Sequence, residues 1–315
     1  TGSSQPSKTP LPHLLDTPPM KYVPKEITQE VNTTPVNPLV NLTYLLGTVT
    51  LAGIVIYFLL GIAADQIAKR IGPETEEKIG SVLVQTIPFQ EGSTANENAK
   101  DSRVDYLQEL ATSLQTDLAT ATDEPANYPP LKIGILDTPV ENAMVTAGSY
   151  MFVTEGLLDA VESENELAFV MAHELGHLQQ KDPLTALGRS LVWLTISGLL
   201  GIGQQGSSVV PSAFNMAELS YGRGQETAAD DYAIALITER YPHGAHSLDF
   251  FKRAQEKELN LGAFNRVAEW QQTHPLSEGR VQRLETQLTN SGWALTGEAT
   301  PLPNNIACRN FTCDN

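Results

Sequence analysis

One uninterrupted apolar stretch dominates the pattern of hydrophobic and polar positions along the chain. Residues 39–64 contain no charged side chain. As a helix they would be about 39 Å long, enough to cross a hydrocarbon core of about 30 Å. Soluble helices seldom stay apolar on every face over this length, so the pattern favours a membrane span over a buried core helix. Its length and its distance from residue 1 distinguish it from a cleaved signal peptide.

The segments on either side of the predicted span differ in pattern. Residues 1–38 are rich in proline, serine and threonine, which predicts an irregular tail. Residues 65–290 are predicted to form the folded domain, and residues 291–315 a polar C-terminal tail. Amphipathic periodicity predicts two helices after the span, β-branched runs within 131–154 predict a small antiparallel sheet, and the remainder is mainly helical. The predicted fold class is α+β, mainly α, preceded by one transmembrane helix.

Composition and charge narrow the classes of function. The 315-residue chain is 41% hydrophobic, which excludes disorder over its whole length. Its formal net charge is −17, and all of it falls after the span, because the tail has equal numbers of lysines and acids. Nucleic acid is excluded as a partner, since phosphates are bound by lysine and arginine clusters that this chain lacks.

Two features bear on the side of the membrane that the domain occupies. Lys69, Arg70 and Lys78 closely follow the span, and the positive-inside tendency would put the domain in the cytoplasm. Cys308 and Cys313 could instead form a disulfide in an oxidising compartment. Two free thiols are the alternative, so these features leave the orientation open.

The pattern H-E-x-x-H occurs at His173, Glu174 and His177, on a helix predicted to be amphipathic. A spacing of i and i+4 places both imidazoles on one face, about one turn apart, as two ligands of a tetrahedral zinc require. Glu174 could take the proton of a water that the metal has made more acidic. In a chain of this composition the pattern arises by chance about once in a hundred sequences, and a solvated surface helix is the alternative.

A third ligand must come from elsewhere in the chain. The extended motif with a third histidine six residues on is excluded, because the diagnostic positions hold Gln180 and Pro183. In a predicted alanine-rich helix, Glu226 and Asp230 share one face at a spacing of i and i+4. Glu226 could supply an oxygen to zinc, and Asp230 could accept the N–H of a ligating imidazole. An ordinary acidic helix face is the alternative.

Five blocks of the chain follow one another in a recognisable order. They are IGPETEEKIG at 71–80, NA and GSYMFVTEGLL within 142–158, ENELAFVMAHELGH at 164–177, GRGQETAAD at 222–230 and THPLSEGRVQRL at 273–284. Together they resemble a family of zinc metallopeptidases that includes the HtpX heat-shock protease, the CAAX prenyl protease, the mitochondrial inner-membrane stress protease and periplasmic relatives that act in outer-membrane assembly. The resemblance implies a zincin-type domain with one Zn²⁺ per chain, held by His173, His177 and Glu226, with Glu174 as catalytic base and Asp230 bonded to a ligand.

Two residues in the matching blocks gain further expected roles from the resemblance. His274 is expected to face the active site, where its imidazole could donate a hydrogen bond to the oxyanion of a tetrahedral intermediate. Packing or capping of its loop is the alternative. Arg223 is expected to pair with an acid near the site, and a purely structural salt bridge is equally compatible with its position.

The predicted sheet offers a way to bind a peptide. An exposed edge could add the substrate as a further strand, and Asn142, Gly148 and Tyr150 are the candidates for this edge. Ordinary turn and strand residues are the alternative. The apolar run after Arg189 has only 13 residues, too few to cross a bilayer. It predicts a helix that packs on the catalytic helix or dips into the membrane surface, which argues against a large intramembrane chamber and a prenylated substrate.

The predicted function is a membrane-anchored zinc endopeptidase that hydrolyses peptide bonds of misfolded or membrane-associated proteins in protein quality control. Expected partners are protein or peptide substrates, the lipid bilayer and other members of a membrane complex. The catalytic domain is expected to be extracytoplasmic, as the resemblance to single-span relatives implies. A non-catalytic membrane scaffold or chaperone that retains the zinc fold is one alternative, and a soluble helical protein with a fortuitous motif is another.

Overall fold

The computed structural model describes residues 1–2, 22, 37–86, 102–122, 128–199, 221–261, 274 and 279–306. The chain forms two compact units, residues 1–51 and residues 52–315. Most of the proline-rich tail lies outside the described residues, and so do Cys308 and Cys313. The irregular tail and the disulfide therefore stay predictions.

Helix α1, Pro38–Ala68, contains the predicted span and extends it at both ends. A proline begins the helix, where its missing N–H has no intrahelical partner to lose. The hydroxyls of Thr43 and Thr48 donate to carbonyls one turn earlier, at 2.9 Å, so these polar groups need no water. Among the described residues α1 is the one helix long and apolar enough to cross a membrane, and none of its most apolar window is buried.

Helices α2, Pro73–Thr86, and α3, Ser102–Thr122, follow α1 as the periodicity predicts. The first turn of α2 carries Glu74 and Glu76, whose charge is favourable at a helix N-terminus. On α3, the leucines at 107, 110 and 114 recur at helical spacing and are fully buried in the core. This apolar stripe attaches α3 to the domain.

The sheet has three strands, in the order β1-β3-β2. They are β1 Lys132–Leu136, β2 Ala143–Thr146 and β3 Tyr150–Thr154. β2 pairs antiparallel with β3, but β1 pairs parallel with β3, so the prediction of an antiparallel sheet is wrong for one of the two pairings. A parallel pair needs a crossover connection. Here β2 and its flanking turns form that crossover, which the composition of the individual runs does not reveal.

Helix α5, Glu164–Gln179, lies at the centre of the domain. Every side chain from Glu164 to Leu178 is buried, so the expected polar face is not exposed to solvent. Ser163 caps the helix by accepting the N–H of Glu166 at 3.3 Å. Helix α3, helix α6 at Asp182–Leu199, helix α7 at Arg223–Arg240 and strand β2 all contact α5. The remaining helices are α4 Glu155–Ala160, α8 Asp249–Leu261 and α9 Arg280–Asn290.

The chain after α9 belongs to the domain as far as it is described. The carbonyl of Thr300 accepts the N–H of Glu164 at 2.9 Å, and the Thr300 N–H donates to the Asn165 side chain at 2.8 Å. Ile306 is fully buried in the core. The folded domain therefore extends past the predicted boundary at residue 290. The polar composition of this segment hides its packing, because its backbone makes several of the contacts.

Candidate active site

The H-E-x-x-H segment lies in the second half of α5. His173, Glu174 and His177 are each fully buried. The two Nε2 atoms of the histidines are 3.1 Å apart, and their rings are perpendicular with centroids 4.7 Å apart. One turn of helix therefore directs both imidazoles toward the same point, as the spacing predicts.

Helix α7 brings Glu226 to this point because its backbone approaches α5 very closely. A Cβ added to Gly176 would lie 2.7 Å from Ala229 Cα, so only glycine permits this approach. Glu226 Oε2 is 3.5 Å from His173 Nε2, and Glu226 Oε1 is 3.5 Å from His177 Nε2. The small residues on the facing helices thus set the position of the carboxylate.

His274 completes the cluster from a different part of the chain. Its Nδ1 lies 3.1 Å from Glu226 Oε1 and 3.2 Å from His173 Nε2. Its Nε2 lies 3.2 Å from Glu174 Oε1. One donor atom from each of His173, His177, Glu226 and His274 lies within 4.8 Å of the other three. His274 faces the site, and its distances place it among the atoms that could ligate a metal.

The donor set fits a zinc ion. Four donors at about 2.0–2.1 Å from a tetrahedral zinc lie about 3.3–3.4 Å from one another. The Nε2 atoms of His173 and His177 are 3.1 Å apart, and the nearest Glu226 oxygen lies 3.1 to 3.5 Å from each of the three imidazoles. Both carboxylate oxygens of Glu174 are buried, and the contact of Oε1 with His274 Nε2 lacks hydrogen-bond geometry. A buried carboxylate without a well-aligned donor is unfavourable in an apolar interior, and a nearby cation with its water would supply the missing interaction.

Two carboxylates hold the ring nitrogens that face away from the cluster. His173 Nδ1 is 3.0 Å from Asp230 Oδ1, the contact expected for Asp230. His177 Nδ1 is 2.9 Å from Asp182 Oδ2, a contact that the sequence analysis missed. A proton on each Nδ1 leaves Nε2 free to bind a metal. Asp182 begins α6 five residues after His177, and the turn between α5 and α6 brings it back to the ring.

Arginine enters the site from α9, not from the expected position. Arg280 contacts Glu226 Oε2 at 2.7 Å and Asp230 Oδ1 at 2.6 Å, and it is almost completely buried. Arg223 is exposed, and its guanidinium makes no ion pair with any described residue. The expected pairing of Arg223 with an acid near the site therefore stays a prediction, whereas Arg280 pairs with two described acids of the site. The sequence block at 273–284 contains both His274 and Arg280, so it could have indicated that Arg280 lies near the site.

Burial and charge shift the pKa values of the site in different directions. Burial raises the pKa of Glu174 to about 7 and lowers that of His274 to about 3. Burial also acts to lower the pKa of His177, but hydrogen bonds with Asp182 and Glu226 outweigh it and raise the pKa to about 9. For Glu226, burial is outweighed by hydrogen bonds from three imidazoles, which lower its pKa.

The residues expected to form a substrate edge do not share one. Tyr150 begins β3, the central strand, which is paired on both sides, so the prediction of an edge there is wrong. Gly148 lies in the preceding turn, where an added Cβ would be 2.7 Å from Gly80 Cα of α2. Asn142 is buried, and its carbonyl accepts the N–H of Thr154 at 3.0 Å. In the described part of the chain β2 has a free edge, and β2 contacts α5.

A buried H-E-x-x-H helix that meets a glutamate from a second helix is the arrangement of zinc metallopeptidases. The comparison with family models agrees with this class. Residues 108–288 match the model of Peptidase family M48. The match covers more than half of the chain, which therefore belongs to this family, and the resemblance found in the five sequence blocks is confirmed.

Three relatives illustrate the range of the family. The mitochondrial metalloendopeptidase OMA1 of Schizosaccharomyces pombe is 28% identical over 164 residues, covering 50% of this chain and 46% of that protein. A putative beta-barrel assembly-enhancing protease of Vibrio cholerae is 28% identical over 154 residues, or 44% and 31% of the two chains. A protease HtpX homolog of Salinibacter ruber is 27% identical over 202 residues, or 54% and 72%. The chain thus spans less than half of the OMA1 relative.

Proposed function

We propose that the chain is a membrane-anchored, zinc-dependent endopeptidase that acts on misfolded or membrane-associated proteins in protein quality control. The observation that carries this proposal is the convergence of four side chains that could bind a metal beside the buried carboxylate of Glu174. Membership of Peptidase family M48 supports it. The activity of the whole protein remains a proposal, because the alignment covers only part of the OMA1 relative.

In this proposal His173, His177 and Glu226 hold one Zn²⁺ per chain. A zinc ion there would polarise the scissile carbonyl and make water more acidic. Asp230 and Asp182 fix the two imidazoles with Nε2 toward the metal. The proposed metal ligands are therefore preorganised, because the protein already holds each of them in position.

Glu174 is the proposed general base. Its carboxylate takes a proton from the attacking water and passes it to the leaving amine. Burial raises the pKa of Glu174 to about 7 in the metal-free site, and the positive charge of a bound zinc would lower it and favour the carboxylate that accepts the proton. The motif supplies this residue one position after His173, so the same helix orients the base and two proposed ligands.

His274 is proposed to stabilise the oxyanion of the tetrahedral intermediate. Its lowered pKa of about 3 keeps the ring neutral, so one nitrogen donates a hydrogen bond while the other remains an acceptor. A tetrahedral metal held by four side chains leaves no position for substrate. Catalysis therefore requires that His274 interacts with substrate rather than acting as a fourth ligand.

The substrate is proposed to bind as an extended peptide along the free edge of β2. This edge is close to the catalytic helix, and main-chain hydrogen bonds would hold the scissile bond with little dependence on its side chains. We propose an extracytoplasmic catalytic domain. Labelling of Cys308 and Cys313 with a membrane-impermeant thiol reagent, with and without reduction, tests the side of the membrane and the disulfide together.

Removal and return of the metal test the proposed activity. Full-length protein in detergent should cleave casein, lose this activity with a zinc chelator and regain it when Zn²⁺ is added back. Glu239 is exposed on α7, so Glu239→Gln is the control for replacing Glu226 on the same helix. This control should cleave casein and respond to the chelator as the parent does. Cleavage that persists through complete loss of the metal contradicts the proposal. Client binding without cleavage, unaffected by chelation, would identify a scaffold instead.

A further inference from the structure

Helix α6 ends in a second uncharged stretch of the chain. After Arg189 no charged residue occurs until Glu218. Leu191 and Trp193 of α6 are 47% and 44% exposed, and the helix has no charged face in this region. Apolar residues exposed over several faces of a helix are unfavourable in water, so this surface requires an apolar environment.

The same part of α6 packs along the domain-proximal end of α1. From Arg189 to Trp193 along α6 the contacted position on α1 falls from Asp65 to Tyr57, so the two helices are antiparallel. Gly188 lies against Ala64, since a Cβ added to the glycine would be 3.3 Å from the alanine Cβ. Arg189 Nε donates to Asp65 Oδ1 at 2.8 Å, and the ring centroids of Trp193 and Tyr57 are 6.1 Å apart. Beyond the ion pair, the contact of Trp193 with Tyr57 places α6 beside the candidate membrane span as far as residue 193.

The hydroxyl groups of this part of α6 are satisfied without water. Each donates to a carbonyl of its own helix: Ser190 to Ala186 at 2.9 Å, Thr195 to Leu191 at 2.8 Å and Ser197 to Leu194 at 3.1 Å. Hydroxyls in hydrocarbon need such internal partners, because no water is available to them. The threonines of α1 use the same device.

We propose that α6 enters the bilayer beside α1, so that lipid hydrocarbon covers its exposed apolar surface. Residues 190–199 are about 15 Å long as a helix, half of a hydrocarbon core of about 30 Å. The ion pair of Arg189 with Asp65 then lies at the membrane surface. Lys69 and Arg70 are exposed just after α1, where they meet lipid phosphates.

This arrangement attaches the candidate metal site to the membrane surface. Asp182, in the first turn of α6, contacts His177, and seven residues of helix, about 10 Å, separate it from Arg189. If the proposed peptidase activity holds, its scissile bonds lie close to the bilayer. Substrates anchored in the same membrane would present such bonds without unfolding a distant domain.

The native tryptophans provide a direct test of this membrane insertion. The chain has three tryptophans, at 193, 270 and 293. Full-length protein carrying Trp270→Phe and Trp293→Phe is reconstituted in phosphatidylcholine vesicles. Trp193 lies four residues, about 6 Å, beyond Arg189, so it should emit at short wavelength, be quenched by lipids brominated along the acyl chain and resist aqueous acrylamide.

Two matched single-tryptophan variants distinguish insertion of α6 from insertion of α1 and from quenching in the folded domain. With Trp293 as the single tryptophan, bromolipid should have no effect, because this residue follows α9 in the folded domain. A Tyr57→Trp variant lacking the native tryptophans reports on α1. Quenching of that probe without quenching of Trp193 overturns the insertion of α6 and leaves the span intact.

Two further outcomes also contradict the insertion of α6. If bromolipid quenches neither probe, both the insertion of α6 and the membrane span are wrong. Protection of Trp193 from both quenchers means that protein covers it, which also overturns the insertion. None of these results depends on peptidase activity, so the proposed function is tested separately.

Discussion

Helices α5 and α6 are neighbours in the chain, but α5 buries polar side chains whereas α6 exposes apolar ones. In α5 ionisable side chains such as His173 and Glu174 are completely buried, whereas in α6 the apolar Leu191 and Trp193 are exposed. Burial of charge is unfavourable unless partners compensate it, and exposure of apolar surface is unfavourable in water. We therefore propose a ligand for each helix: a metal with its water at α5, and lipid at α6.

The largest expected effect is the loss of a proposed metal ligand at the α5 site. Glu226→Gln should reduce the zinc content from about one per chain to nearly zero, and cleavage should disappear with it. The variant also leaves the buried Arg280 without one of its two carboxylate partners. Elemental analysis of the purified protein measures the zinc. If the Glu226→Gln variant keeps its zinc and its activity, Glu226 is not a metal ligand and α7 does not contribute to the metal site.

A pair of glycine substitutions compares the packing of the two helices directly. Gly176→Ala should destabilise the domain by about 1–3 kcal/mol, because its Cβ meets the backbone of α7. Gly198→Ala on α6 is the matched control: nothing lies within 4 Å of its added Cβ, so it should leave stability unchanged or raise it by up to about 1 kcal/mol. Thermal unfolding measures both, and equal losses of stability would contradict the packing.

Asp182 joins the two helices, and its replacement should weaken the metal site without emptying it. Asp182→Asn removes the charged partner of the His177 ring, so zinc affinity should fall by about 10–100-fold. Competition with a chromogenic chelator measures the dissociation constant. Asp231→Asn, at an exposed site on α7, should not change it. An unchanged affinity in Asp182→Asn would show that this contact does not orient His177.

The smallest expected effect is the release of a proton when zinc binds. The pKa of His177 is raised above its ordinary value to about 9, so without metal the ring is protonated at pH 7.5. Zinc binding there should release about one proton, and the release should vanish as the pH rises through about 9. Calorimetry in buffers of different ionisation enthalpy counts the protons. No release at pH 7.5 would mean that His177 is neutral or is not a ligand.

The sequence predicted the elements of the site better than their connections. The spacing of His173 and His177 and the pair of Glu226 and Asp230 depend on helix periodicity, which is local. Asp182 was missed because its contact with His177 depends on the turn between two helices. Arg280 approaches across 50 residues, and only the tertiary fold brings it to Asp230.

The errors in the fold have the same origin. Short β-branched runs predict three strands, but their order and the parallel pairing of β1 with β3 depend on a crossover. The end of the domain was placed too early because Thr300 is held through its backbone, which carries no signal in the sequence. The surroundings of α5 likewise become visible only when all of its neighbours are in place.

Replacement of the proposed base tests the central claim most directly. Glu174→Gln keeps the shape of the side chain and removes its capacity to take a proton. The variant should bind about one zinc per chain, as the parent does, while its rate of casein cleavage falls by about 10²–10⁴-fold. A zinc-loaded Glu174→Gln protein that cleaves casein as fast as the parent would contradict the account.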